Sequence, residues 1–125
     1  MHKQTYSPED ITEVEFEVGG FHTGMTKYHF IVTETGSILS TLMWMTPITE
    51  IGLSNYETVE MQKKISALKT ENWKKYYNNP DIQDGTQWSL IITYNGEKPV
   101  EYGGSNAYPS KWDDLIAIFG YDFKD

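Results

Sequence analysis

The sequence predicts an α+β domain: a mainly antiparallel five-stranded sheet with two helices packed on one face, in the order β-β-β-α-β-β-α. Three observations carry this. Residues 11–18 alternate apolar and acidic side chains with a period of two, residues 55–69 change to a helical period behind a capping sequence, and Asn95-Gly96 marks a hairpin late in the chain.

Residues 1–10 are polar, contain Pro8, and are expected to lie loosely on the surface. In the first strand Val14, Phe16 and Val18 point one way and Glu13, Glu15 and Glu17 the other, as in a half-buried strand. Residues 27–33 repeat the pattern with Tyr28, Phe30 and Val32, and Glu34-Thr35-Gly36-Ser37 turns the chain into a third strand, 38–45. That strand is apolar on both faces: Leu39, Met43 and Met45 on one, Ile38, Leu42 and Trp44 on the other. It is therefore either central and covered or open to a partner, and a homodimer would suit it equally.

Ser54 to Glu57 fits a capping box, and Met61, Ile65 and Leu68 recur at i, i+4 and i+7, predicting a helix over 55–69 with a break at 70–72. After the turn Asp84-Gly85, residues 86–94 read as a strand with Trp88, Leu90, Ile92 and Tyr94 on one face. Asn95-Gly96 returns the chain through Val100 and Tyr102, and Gly103-Gly104-Ser105-Asn106 forms the next loop. Ser110 reads as the cap of a second helix carrying Trp112, Leu115, Ile116 and Phe119. No repeat or linker interrupts residues 1–125, so a single domain is expected.

The bulk composition excludes several classes of function. A net charge of -8, with every cation a Lys and none an Arg, argues against a phosphate-backbone partner and favours a protein partner with a basic surface. No Cys is present, which removes thiolate metal sites and thiol nucleophiles. No apolar run is long enough to span a bilayer and the N-terminus lacks a hydrophobic leader, so a soluble cytoplasmic protein without membrane contact is expected.

Gly19-Gly20-Phe21-His22-Thr23-Gly24-Met25-Thr26 comes within one residue of a phosphate-binding loop. Met25 stands where the Lys would reach the phosphates, and a strand follows where a helix must begin. It reads as a hairpin loop. His22 and His29 are seven residues apart, which places them on opposite faces of one strand and argues against a shared metal. No nucleophile, metal or cofactor motif is present, and no catalytic residue, metal or cofactor is assigned.

The segments Asp84-Gly85-Thr86-Gln87-Trp88-Ser89-Leu90-Ile91-Ile92 and Gly103-Gly104-Ser105-Asn106-Ala107-Tyr108-Pro109, the second lying ahead of a terminal helix, resemble a group of small proteins of Firmicutes and related bacteria that have no assigned activity. The resemblance covers less than half of the chain and implies a bacterial or phage origin.

Two readings of function remain open. The first is a non-enzymatic protein-binding module, such as an immunity, inhibitor or counter-defence protein, docking through Glu13, Glu15 and Glu17 with Met43 and Met45. The second is a small-molecule-binding protein or enzyme that uses Tyr102, Asn106 and Tyr108 around the glycine loop. Trp88, Trp112 and Trp44 are assigned to the core.

Overall fold

The structure, a computed structural model, describes residues 6–20, 24–82 and 85–123. Most of the loop around His22, the Asp84 half of the expected turn and the first five residues lie outside the described residues. Seven strands form one mixed sheet: β1 (Ile11–Gly20), β2 (Gly24–Thr33), β3 (Gly36–Met43), β4 (Thr46–Leu53), β5 (Tyr76–Asn78), β6 (Thr86–Tyr94) and β7 (Val100–Ser105), in the spatial order β4-β3-β2-β1-β6-β7-β5. Helices α1 (Asn55–Ser66) and α2 (Trp112–Phe119) complete the α+β architecture.

The sheet has seven strands where the sequence predicts five. The first addition is β4: the chain turns at Trp44-Met45 and runs back antiparallel to β3, with Met43 opposite Thr46. Trp44 and Met45 both adopt positive φ, 52° and 65°, giving the φ signs of a type I′ turn without the Asn or Gly that normally announces one. The second addition is β5, three residues that pair parallel to β7 at the far edge. So short a strand leaves no alternation to read. The expected glycine loop is corrected as well, since Gly103, Gly104 and Ser105 belong to β7.

Alternation decides which face is covered. Val14, Phe16 and Val18 are fully buried with Phe30, Leu90 and Ile92, and Met61, Ile65 and Leu68 of the α1 region and Trp112, Leu115 and Phe119 of α2 join the same cluster. Phe16 lies at its centre, with ring centroids of Tyr28, Trp112 and Phe119 at 6.0, 5.8 and 5.5 Å. The opposite face, carrying Glu13, Glu15 and Glu17, is left open. Tyr6 stacks on Tyr94 at 3.9 Å, and Pro8–Asp10 forms a 3-10 turn ahead of β1.

The Ser54 capping box forms as expected: the Glu57 amide donates to Ser54 Oγ at 3.1 Å and the Ser54 amide to Glu57 Oε1 at 2.9 Å. The Ser54 amide first, and the Ser54 side chain second, hold the Glu57 carboxyl below its ordinary pKa. A depressed carboxylate adds stability above its unfolded pKa, which is lost as pH falls through the lower folded value. Ser54→Ala removes the Oγ that accepts from the Glu57 amide and is expected to cost about 1 kcal/mol, with only the part carried by the Ser54 side chain on the Glu57 carboxylate fading on acidification; chemical denaturation at several pH values checks this. The second expected cap does not form. Lys111 occupies that position, with no side-chain hydrogen bond, and Gly120 ends α2 in a left-handed conformation.

Candidate functional site

On the open face, cross-strand registry fixes the neighbours of the three glutamates. Glu15 lies opposite His29, and Glu17 opposite Lys27. The side chains reach diagonally instead: Lys27 Nζ is 3.0 Å from Glu15 and His29 Nε2 is 2.6 Å from Glu13 Oε2. Glu17 has no ion-pair partner among the described residues. Ligand atoms of Glu13, Glu15 and His29 lie within 4.8 Å of one another, a donor set of the kind a divalent cation uses. Here both carboxylates are already engaged by Lys27 and His29. The acidic strip is thus partly neutralised, and its open charge passes to Glu17 and to the exposed Glu50 and Glu101, which flank the row Ser40, His29, Glu15, Ile91.

Beyond this row the β3–β4 hairpin exposes five large apolar residues among those described, Met43, Trp44, Met45, Ile48 and Ile51, with Trp44 and Met45 65% and 69% exposed. Trp44 is therefore not a core residue. Its amide donates to Met25 O at 3.1 Å and its ring lies against Gly24, where an added Cβ would come within 2.6 Å of Nε1. The tip is anchored while its apolar surface faces solvent. Two bulky residues in the left-handed region cost about 1–2 kcal/mol each, a conformational cost of the kind retained at functional sites.

The free edge of β4 is guarded against strand addition. Pro47 lacks a donor, and a register shift places Ile48 as an extra residue between the pairs Thr41–Thr49 and Leu42–Pro47. Strand addition at this edge is therefore disfavoured. Leu42, Pro47 and Ile48 line one side of a groove of about 410 Å³ that continues to His29 and Glu50. Met43 and Met45 lie at the hairpin end outside this groove: registry puts Met43, opposite Thr26 and in line with buried Val18, and Ile51, opposite Leu39, on the helix-bearing face, and the sequence gives no assignment to Ile48 or Ile51. Their spacing of three, with Pro47 beside them, breaks the strand period that would have flagged them.

Tyr102, Asn106 and Tyr108 each engage different neighbours. The Asn106 amide group is buried and donates to Ile82 O at 3.0 Å, with its backbone at φ 58°. Tyr108 packs on Trp112 and Phe123 at 4.7 and 5.3 Å. Tyr102 is buried beneath Lys75, whose Nζ sits 4.6 Å from the ring centroid. Gly104 lets the Trp88 indole lie against the strand, since a Cβ there would fall 2.4 Å from Trp88 Nε1 and 2.7 Å from Ala107 O. That same Nε1 donates to Ala107 O at 2.9 Å. Gly104→Ala is expected to cost about 1–3 kcal/mol by overpacking, read as a lowered denaturation midpoint with an unchanged slope.

Among the described residues no helix is long and apolar enough to cross a membrane. Comparison of the chain with protein-family models, with curated proteins and with solved structures gave no match.

Proposed function

We propose that the chain is a non-enzymatic protein-binding module, of the immunity, inhibitor or counter-defence kind found in bacteria and their phages, which docks a protein partner on the β3–β4 hairpin and the adjoining open sheet face. The observation that carries this reading is the exposed tip Trp44-Met45, held in a costly left-handed turn and flanked by exposed Met43, Ile48 and Ile51. Trp and Met are residues that interfaces concentrate, and a large aromatic anchor beside smaller apolar neighbours is how hot spots are built.

The partner is a protein that presents an apolar projection rimmed by Lys or Arg. The groove supplies apolar walls from Leu42, Pro47 and Ile48, Glu50 stands at its edge, and the chain carries a net charge of -8. The same charge opposes pairing with a second copy. Association with a basic surface is steered by this field and slows as salt screens it.

The test compares affinity capture from host lysate by wild type and by the Trp44→Asn/Met45→Gly variant. One stoichiometric protein retained by wild type and lost by the variant, with an on-rate that falls about tenfold between low and high salt, supports the reading. Equal retention by the variant overturns the hairpin as the docking surface.

A further inference from the structure

We propose that the cleft between the end of α1 and the β6–β7 sheet is a binding site for a small planar organic anion of the aromatic carboxylate class. This proposal is independent of the hairpin. The cleft holds about 270 Å³, just below the range typical of drug-sized ligands, and so suits a single-ring molecule.

Its walls are aromatic. Tyr6 stacks on Tyr94 with rings 11° from parallel, and Trp73 meets Tyr102 edge-on at 5.7 Å, so the lining offers ring faces and edges to a flat ligand. Ile65 and Val100 add apolar lining.

The polar groups favour a negative charge. In a chain of net charge -8, the lining of this cleft carries Lys69 and Lys75 against one lining acid, Glu71, while Glu97 and Asp10 lie close enough to act on Tyr6 at its edge. Lys69 adopts φ 54°, a left-handed conformation in which Gly or Asn would be less costly, and it puts a cationic side chain where those residues would put none. Lys75 is positioned over the Tyr102 ring. Between the lysines lies Thr70, 4% exposed, whose side chain is a hydrogen-bond partner of both the Tyr94 and the Tyr102 phenol. Burial raises the pKa of both phenols, partly offset by Thr70 and added to by the Glu71 charge, so they stay protonated at neutral pH; Thr70 has one proton to donate, so at least one phenol spends its own on Thr70 and at most one is left to donate to a carboxylate. Rings on the walls, cations at the mouth and a neutral donor inside match a carboxylate on an aromatic ring. A cationic ligand would meet two ammonium groups, and a phosphate would find no guanidinium fork.

The test is a titration of isotope-labelled protein with benzoate, followed by amide shifts, beside acetate and benzyl alcohol, which lack the ring and the charge respectively. Saturable shifts at Thr70, Tyr94 and Tyr102 are expected with benzoate, with affinity at least about tenfold weaker for both controls. Lys69→Gln/Lys75→Gln, both exposed, is expected to weaken benzoate about tenfold or more while leaving the fold intact by circular dichroism, and Trp44→Asn/Met45→Gly to leave it unchanged. No saturation at about 10 mM benzoate, where useful affinity would already be spent, overturns the proposal. So does equal binding of benzyl alcohol or acetate, or full affinity in the lysine variant.

Discussion

Trp44→Asn/Met45→Gly is expected to make the protein more stable and to weaken partner binding. The substitution installs Asn-Gly at a turn whose φ values of 52° and 65° that pair adopts with little strain. Releasing two bulky residues from the left-handed region returns about 1–2 kcal/mol each. Part is offset because the indole is lost from Gly24, and Asn itself retains some cost. A net gain of about 1–2 kcal/mol corresponds to roughly 3–8 °C in melting temperature for a domain of this size. Binding moves the other way, because truncating a central aromatic anchor costs at least about 2 kcal/mol, or roughly 30-fold in Kd. Opposite signs separate a docking surface from a turn that merely tolerates poor residues: a structural role alone would leave binding untouched.

Phe16→Ala is expected to produce the largest loss of stability, about 3–5 kcal/mol, from lost transfer energy and the cavity left behind. Phe16 is fully buried on β1, the central strand of the order β4-β3-β2-β1-β6-β7-β5, and its ring touches Tyr28 from β2 and both Trp112 and Phe119 from α2. One truncation therefore loosens the sheet and the helix packed on it. Against a total stability of about 5–15 kcal/mol, the variant is expected to unfold at much lower denaturant. Glu17→Gln, on the opposite face of the same strand and without an ion-pair partner among the described residues, is expected to change the midpoint little.

Elements with a strong period were legible in the sequence. The alternation of Glu13 to Val18, the capping box at Ser54 and the β6 strand from Thr86 to Tyr94 appear in the structure where their patterns place them. Hairpin β3–β4 was not legible, because its turn is made of the wrong residues: Trp-Met in place of Asn-Gly reads as a continuing strand, and so β4 was lost and Trp44 was placed in the core. The departure from local preference coincides with the candidate site. Strand β5 was hidden for another reason, since its three residues pair parallel to β7 across 27 positions of chain and carry no local signal. Among the candidate residues, Glu13 and Glu15 could be placed on one face from periodicity. That Lys27 and His29 answer them diagonally depends on side-chain reach across the strands, which periodicity does not encode.

The most direct test of the docking surface is the dissociation constant of the captured partner, purified and titrated in parallel against wild type and Trp44→Asn/Met45→Gly. The expected result is at least about 30-fold weaker binding by a variant that melts at a higher temperature than wild type. Unchanged affinity in that more stable variant would contradict the account and remove the β3–β4 hairpin from the interface.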